Sequence, residues 1–135
     1  MALPIDELAA YAEAQGIGSL ATKSLVTFGL QATPDAQVAL IEYPGGQSEQ
    51  AYGSDEIAWE SPRFQVICRA AARDRRAAAQ KAEDAYRAFG KIGAETLSGT
   101  FYHSASCQRP FFLGLDDNER PMFAFNVQLE KDRSA

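Results

Sequence analysis

Pro62-Arg63-Phe64-Gln65-Val66-Ile67-Cys68-Arg69, followed after four residues by Asp74-Arg75-Arg76-Ala77-Ala78-Ala79-Gln80-Lys81-Ala82-Glu83-Asp84-Ala85-Tyr86-Arg87-Ala88-Phe89, decides the fold class. In the first stretch Phe64, Val66 and Cys68 alternate with Arg63, Gln65, Ile67 and Arg69. That is the period of two of a strand with one buried face. In the second, Ala78, Ala82, Ala85 and Phe89 recur at helical spacing with Tyr86 beside them, while Arg75, Arg76, Lys81, Glu83 and Arg87 fall off the stripe. Asp74 is placed to cap the helix start, and Gly90 and Gly93 are placed to stop it. An alanine-lined helix face lets its backbone approach a sheet closely, so the pair predicts a helix packed on a sheet.

Working upstream, Ile5, Leu8, Ala9 and Ala12 share one face of a short helix over residues 5–14, with Asp6 and Glu7 near the positive end of its dipole. Gly16 and Gly18 stop it. Leu25 to Gly29 reads as a short strand, Thr33-Pro-Asp-Ala as a turn, and Gln37 to Tyr43 as a second strand that Pro44-Gly45-Gly46 ends sharply. The polar stretch Gln47–Ser61, which holds the only tryptophan, Trp59, reads as a long binding loop or arm. Downstream of the helix, strands are expected at Thr96–Tyr102, Arg109–Leu115 and Pro121–Glu130, the last two joined as a hairpin through Asp116-Asp117-Asn118-Glu119-Arg120. The order α, β, β, loop, β, α, β, β, β gives a single α+β domain over residues 1–135. Its sheet is mixed or mostly antiparallel, flanked by two helices.

Composition qualifies this picture. The apolar fraction is an ordinary 46%, but 24 of the 135 residues are Ala, and Leu, Ile, Val and Phe together supply only 28, or 21%. That is just above the level, roughly 20%, at which disorder becomes the default. The core should be thin, the isolated subunit only modestly stable, and burial completed against partner subunits. A net charge of -5 argues against a binder held to DNA or RNA by phosphate neutralisation. No apolar run of about 18 residues exists to span a membrane, and Met1 to Glu7 has no secretory pattern. Cys68 and Cys107 form no C-x-x-C pair, which favours free thiols in a reducing compartment.

The motifs of chemistry are largely missing. His103 and Cys107 are four residues apart, yet one His and two Cys in the whole chain are too few for a closed zinc site. Asp116-Asp117-Asn118-Glu119 lacks the glycine and closing glutamate of a calcium loop. Gly16-x-Gly18 lacks the third glycine of a nucleotide fingerprint, and neither a phosphate-binding loop nor a nucleophile elbow is present. No catalytic, cofactor-binding or metal-ligating residue is assigned. A small hydrolase or ligand-binding domain that uses His103 with Cys68 or Cys107 stays open, and it requires a pocket that brings them within hydrogen-bond reach. The one basic cluster, Arg69, Arg73, Arg75 and Arg76, suits nucleic acid, an acidic partner or a solvated helix start.

Three segments together form a recognisable pattern: Ile41-Glu-Tyr-Pro-Gly-Gly46, Ser61-Pro-Arg-Phe-Gln-Val-Ile-Cys-Arg69 leading into the Ala-rich helix, and Leu113-Gly-Leu-Asp-Asp-Asn-Glu-Arg-Pro-Met-Phe-Ala-Phe-Asn-Val127. In order and spacing they resemble the tail terminator proteins of long-tailed bacteriophages, sometimes labelled minor capsid proteins. The resemblance covers nearly the whole chain. It implies a structural subunit that forms a ring of six on the last ring of tail-tube protein, stops tube growth and offers the surface to which neck or stopper proteins join the head. DNA would pass through the lumen without sequence-specific binding. The location implied is the tail-neck region of the virion, and the host cytoplasm during assembly.

The same resemblance assigns an interface role to Gln65 and Arg69 in the strand motif and to Asp116, Arg120 and Asn126 in the final hairpin. Trp59, Arg73, Arg75, Arg76 and Asp117 are added as interface candidates from the loop, the basic cluster and the doubled acid. The chain departs from the family in its extended Gln47–Ser61 stretch and in Asp116-Asp117. Other neck components, such as stopper or head-completion proteins, and tail-tube subunits are the neighbouring alternatives.

Overall fold

The alternating stretch and the helical stripe are both realised, and one sheet collects them. The computed structural model describes residues 3–50 and 57–132. Its elements in chain order are α1 (Pro4–Ala14), β1 (Leu25–Thr27), β2 (Gln37–Gln50), β3 (Ile57–Arg69), α2 (Arg75–Gly90), β4 (Gly93–Leu97), β5 (Thr100–Cys107), β6 (Phe111–Leu115) and β7 (Pro121–Asp132). The strands form one seven-stranded sheet in the order β1-β2-β3-β7-β5-β4, with β6 also paired to β7. Only β1 and β2 run parallel; the other pairs are antiparallel. The fold is α+β with two helices and a C-terminal hairpin.

Phe64, Val66 and Cys68 are fully buried on one face of β3, and Phe125, Val127 and Leu129 lie beside them on β7. Against this face pack α2, over β3, β5 and β7, and α1, over β1 and β2. The expected stripe Ala78, Ala82, Ala85 and Phe89 is fully buried. Asp74 caps α2, its carboxylate accepting from the Ala77 amide at 3.2 Å. The alanines bring the helix close to the sheet, and the volume they leave is filled by aromatic rings. Phe89 sits 6.1 Å from Tyr11 of α1 and 6.2 Å from Phe125 of β7, while Tyr86 meets Phe125 edge-on at 6.0 Å.

Three expectations about the strands are corrected. Pro44-Gly45-Gly46 does not end the second strand: β2 continues to Gln50. Tyr43 stands opposite Arg63 and Gln47 opposite Ser61, so four steps on β2 match two on β3. The excess is absorbed as a bulge, which is where proline and glycine are tolerated within a sheet. The expected loop 47–61 is for the most part strand, with Ser48 opposite Glu60 and Glu49 opposite Trp59; only 51–56 of it lie outside the described residues. Its polar sequence hides the strand because backbone pairing, and not an apolar period, sustains it. Finally, the strand expected at 96–102 is a tight hairpin of β4 and β5, turning at Ser98 and Gly99, both with positive φ. The observed order is therefore α, β, β, β, α, β, β, β, β.

The ends of the sheet are built differently. β7 is bordered on one side by β3 along most of its length, and on the other by β5 at residues 127–131 and by β6 at 121–124. Thus β5 and β6 lie end to end, broken at residues 108–110, where the Gln108 amide still donates to the Asn126 carbonyl at 3.0 Å. Beyond β6 no further strand is paired among the described residues. At the far edge β1 pairs only with β2.

Candidate functional site

By strand parity, Gln37, Ala39 and Arg69 project from the face opposite the helices, yet all three are buried, as is Arg120 just before β7. Residues 29–36 fold back over that face, and polar side chains hold them there. Arg69 Nε donates to the Asp35 carbonyl at 2.8 Å, and its Nη2 donates to the carbonyls of Gln31 at 2.7 Å and Pro34 at 2.8 Å. Arg120 Nη1 donates to the Ala32 carbonyl at 2.7 Å and to Asp35 Oδ1 at 3.1 Å. Gln37 accepts from the Gln31 amide and donates to the Thr33 carbonyl. A loop whose carbonyls are taken up this way has little freedom, since each buried acceptor would otherwise lack a partner.

Asp116 joins the two arginines. Its Oδ2 accepts from Arg120 Nε at 2.7 Å and lies 3.7 Å from Arg69 Nη1, while Oδ1 accepts the backbone amides of Asn118 and Arg120, both at 2.9 Å. The same carboxylate therefore closes the hairpin turn and charges the clamp. Partial desolvation acts to raise its carboxyl, but the bonds from Arg120 and Asn118 prevail and hold it below the ordinary 3.8. Its contribution to stability is then complete above about pH 4, the unfolded value, and is lost as pH falls through the lowered folded value. Asp116→Asn should flatten that limb: between pH 7 and pH 3 the urea midpoint of the variant falls less than that of the parent protein. Equal falls would show that the carboxylate does not carry the acid sensitivity.

Of the residues singled out from sequence, Arg69, Asp116 and Arg120 thus meet in one cluster, though 47 to 51 residues separate Arg69 from the other two. Gln65 and Asn126 are direct cross-strand neighbours. Asn126 accepts from the Tyr43 hydroxyl at 3.1 Å and donates to Gln108 at 2.8 Å. Tyr43, Gln108 and Asn126, but not Gln65, border a shallow polar concavity of about 250 Å³ on the open sheet face, together with Arg63, Ser106 and Gln128.

The basic cluster read from sequence is split. Arg69 is buried in the clamp, whereas Arg73 is exposed and paired with Glu119 at 3.3 Å, and Arg75 lays its guanidinium 3.9 Å over the Phe112 ring. Arg76 and Asp117 are exposed, on α2 and on the hairpin tip. Trp59 lies in β3 opposite Glu49 and Asp132.

The His–Cys pairing does not form. His103 is exposed on β5 and bonded to Asp132 at 2.8 Å. Cys68 faces Phe123 across the ladder, whereas His103 lies level with Glu130 and Lys131. Seven or eight strand positions, about 25 Å, separate them. Cys107 is four positions away on the same strand, about 13 Å. Burial pushes the Cys68 thiol up to about 12 and the Cys107 thiol up to about 11, so neither is a thiolate near neutral pH. No group of three or more His, Cys, Asp or Glu that could hold a metal occurs among the described residues, and no helix there is long and apolar enough to cross a membrane.

Two features escaped the sequence. Glu7, expected near the positive end of the α1 dipole, is buried; its carboxylate accepts from the hydroxyls of Thr100 and Tyr102 and lies 4.0 Å from the buried Lys131 ammonium. Burial, reinforced by Glu7, pushes the Tyr102 hydroxyl far above its ordinary value. The second is a set of exposed apolar side chains at both sheet edges: Phe28, 73% exposed, beside β1, and Phe111, Phe112, Leu113 and Leu115 on β6. For the β6 run, four large apolar residues within five positions are the visible signal. Phe28 is also held at φ 74°, a region that costs a non-glycine residue free energy.

The described residues present a clamped loop, a polar sheet face, an exposed apolar run on β6 and the exposed Phe28 beside β1. No curated protein matches the sequence. Among the solved structures that match, one has a TM-score of 0.57 at 13% identity over 96% of this chain and 91% of its own, and so shares the fold. A family model described as bacteriophage tail terminator protein matches residues 13–133, nearly the whole chain. The chain therefore belongs to the bacteriophage tail terminator family, structural proteins of the virion tail.

Proposed function

We propose that this protein forms a homohexameric ring on the last ring of the tail tube, ends tube polymerisation and provides the surface to which a neck or stopper protein joins the head. The family match over residues 13–133 carries the reading. The exposed apolar edges and the absence of an assembled reactive site among the described residues support it. Assembly takes place in the host cytoplasm, and DNA passes through the ring without sequence-specific binding. At -5 per subunit, six copies give about -30, a field that repels DNA weakly and lets it slide.

The interface roles assigned to Gln65, Asn126, Trp59, Arg73, Arg75, Arg76 and Asp117 belong to this reading, as do those of Arg69, Asp116 and Arg120. The last three act through the loop they hold: by fixing residues 29–36 they fix the surface that residue 28 borders. Removing the gene from a phage that carries it, and imaging the particles by electron microscopy, tests the whole. The expected result is tails of uncontrolled length. Tails of normal length left unjoined to heads would assign the protein to the stopper position instead, and absence of tubes would make it the tube subunit.

A further inference from the structure

In a chain whose Leu, Ile, Val and Phe make up only 21% of the residues, β6 places Phe111, Phe112, Leu113 and Leu115 where solvent reaches them. Phe112 stands opposite Phe123 and Leu115 opposite Pro121 on β7, so by strand parity both project to the side of the sheet on which α2 packs. There they form an apolar ledge, with Phe112 38% and Leu115 58% exposed. The start of α2 reaches over it: Arg75 holds its guanidinium carbon 3.9 Å from the centre of the Phe112 ring and 5.9 Å from that of Phe123. A guanidinium resting on a ring face keeps its N–H donors available, because the ring accepts none of them in the guanidinium plane. The surrounding acids are already engaged. Asp74 caps α2, Glu119 pairs with Arg73 at 3.3 Å, Glu83 pairs with Arg87 at 3.4 Å and Arg109 at 3.0 Å, and Asp116 belongs to the clamp. Among the described residues Arg75 and Arg76 have no carboxylate partner, and of the hairpin acids only Asp117 is uncommitted.

We propose that this ledge is the docking site for a segment of another virion protein that carries an apolar side chain beside a carboxylate. The apolar side chain covers Phe112 and Leu115, and the carboxylate takes paired hydrogen bonds from Arg75. Charge complementarity selects this occupant. A purely apolar segment would strip water from the Arg75 guanidinium and leave its donors without partners, a cost that outweighs the few methyl groups buried. A basic segment would add repulsion from Arg75 and Arg76. The phosphate backbone of a nucleic acid would satisfy the guanidinium but bury little of the apolar floor. A carboxylate next to an apolar group meets both demands at once, and it does so on a preorganised surface, since Phe112 is stacked at 5.4 Å on Phe123 and holds Arg75 from below. An aromatic ring and an arginine in contact are the side chains that most often dominate protein contacts. The inference rests on the protein being a component of the virion and does not require the ring.

Its test is photo-cross-linking on purified phage particles, with p-benzoylphenylalanine in place of Leu115 and the attachment point read by mass spectrometry. The expected adduct joins β6 to one segment of a different virion protein, at an apolar residue flanked by Asp or Glu. Adding Arg75→Gln should lower the yield of that adduct several-fold, and Arg75→Lys, which keeps the charge but loses the planar fork, should give an intermediate yield. Arg75 is exposed, so the urea midpoint of either variant should stay at the parent value and the loss of yield is not a loss of folding. An adduct to a segment without acids, a yield indifferent to Arg75→Gln, or no adduct at all would overturn the proposal. So would an adduct to a second copy of this chain, which makes β6 part of a subunit contact and leaves the ring reading standing. The ring reading is decided separately, by the length of the tails when the gene is removed.

Discussion

Lys131→Met should lower the free energy of unfolding by about 3–5 kcal/mol, the usual cost of leaving one member of a buried ion pair without the other. Glu7 and Lys131 are both withdrawn from solvent, their side chains 0% and 1% exposed. With the ammonium gone, the Glu7 carboxylate keeps only the hydroxyls of Thr100 and Tyr102, too little to replace the water it lost on burial. The cluster ties the first turn of α1 to β5 and β7, elements more than 90 residues away in sequence. Adding Glu7→Gln should recover most of the loss, since the amide oxygen still accepts from the two hydroxyls and the interior no longer holds a charge. Urea unfolding of the four proteins in a double-mutant cycle measures this. A single-variant loss below about 1 kcal/mol, or strict additivity, would show that the two groups are not coupled.

Phe89→Ala should cost a similar amount, about 3–5 kcal/mol, against a total of about 5–15 kcal/mol for a typical domain. Phe89 is fully buried where α1, α2 and β7 meet, in contact distance of Tyr11 and Phe125. Its neighbours on the stripe, Ala82 and Ala85, cannot move in to refill the space, because their methyl groups already sit at the end of their reach. A core with many alanines concentrates its stability in a few rings, and losing one leaves a cavity that the backbone cannot collapse around. Circular dichroism in urea gives the shift; a loss under about 1.5 kcal/mol would mean that the alanine-lined layer relaxes as a softer core does.

Legibility varied with the kind of signal. β3 and α2 were readable because each has one buried face and therefore a clean period, two for Phe64, Val66 and Cys68, and 3.6 for Ala78, Ala82, Ala85 and Phe89. The hairpin around Asp116–Arg120 was readable because its turn chemistry is local. The continuation of β2 beyond Gly46 was not readable, because Pro44-Gly45-Gly46 gives the same signal for a stop as for a bulge. Nor was the split at Ser98-Gly99, because Leu97, Phe101 and Tyr102 on either side of it read as one continuous strand.

For the candidate site the division is sharper. The residues Arg69, Asp116 and Arg120 were named from their place in a resemblance, but the sequence put Arg69 in a basic cluster with Arg73, Arg75 and Arg76. In the fold it leaves that cluster and turns to the carbonyls of Gln31, Pro34 and Asp35. Backbone carbonyls have no signature in a sequence, so a clamp built on them cannot be seen there.

By itself the sequence determined the fold class, the faces that β3 and α2 bury, the capped helix and the final turn, since each follows from neighbours a few residues apart. Only the tertiary structure decided which charges are buried together and which apolar residues are left at opposite edges of one sheet. Those depend on long-range strand order, and the same local pattern can be satisfied in many such orders until the chain closes.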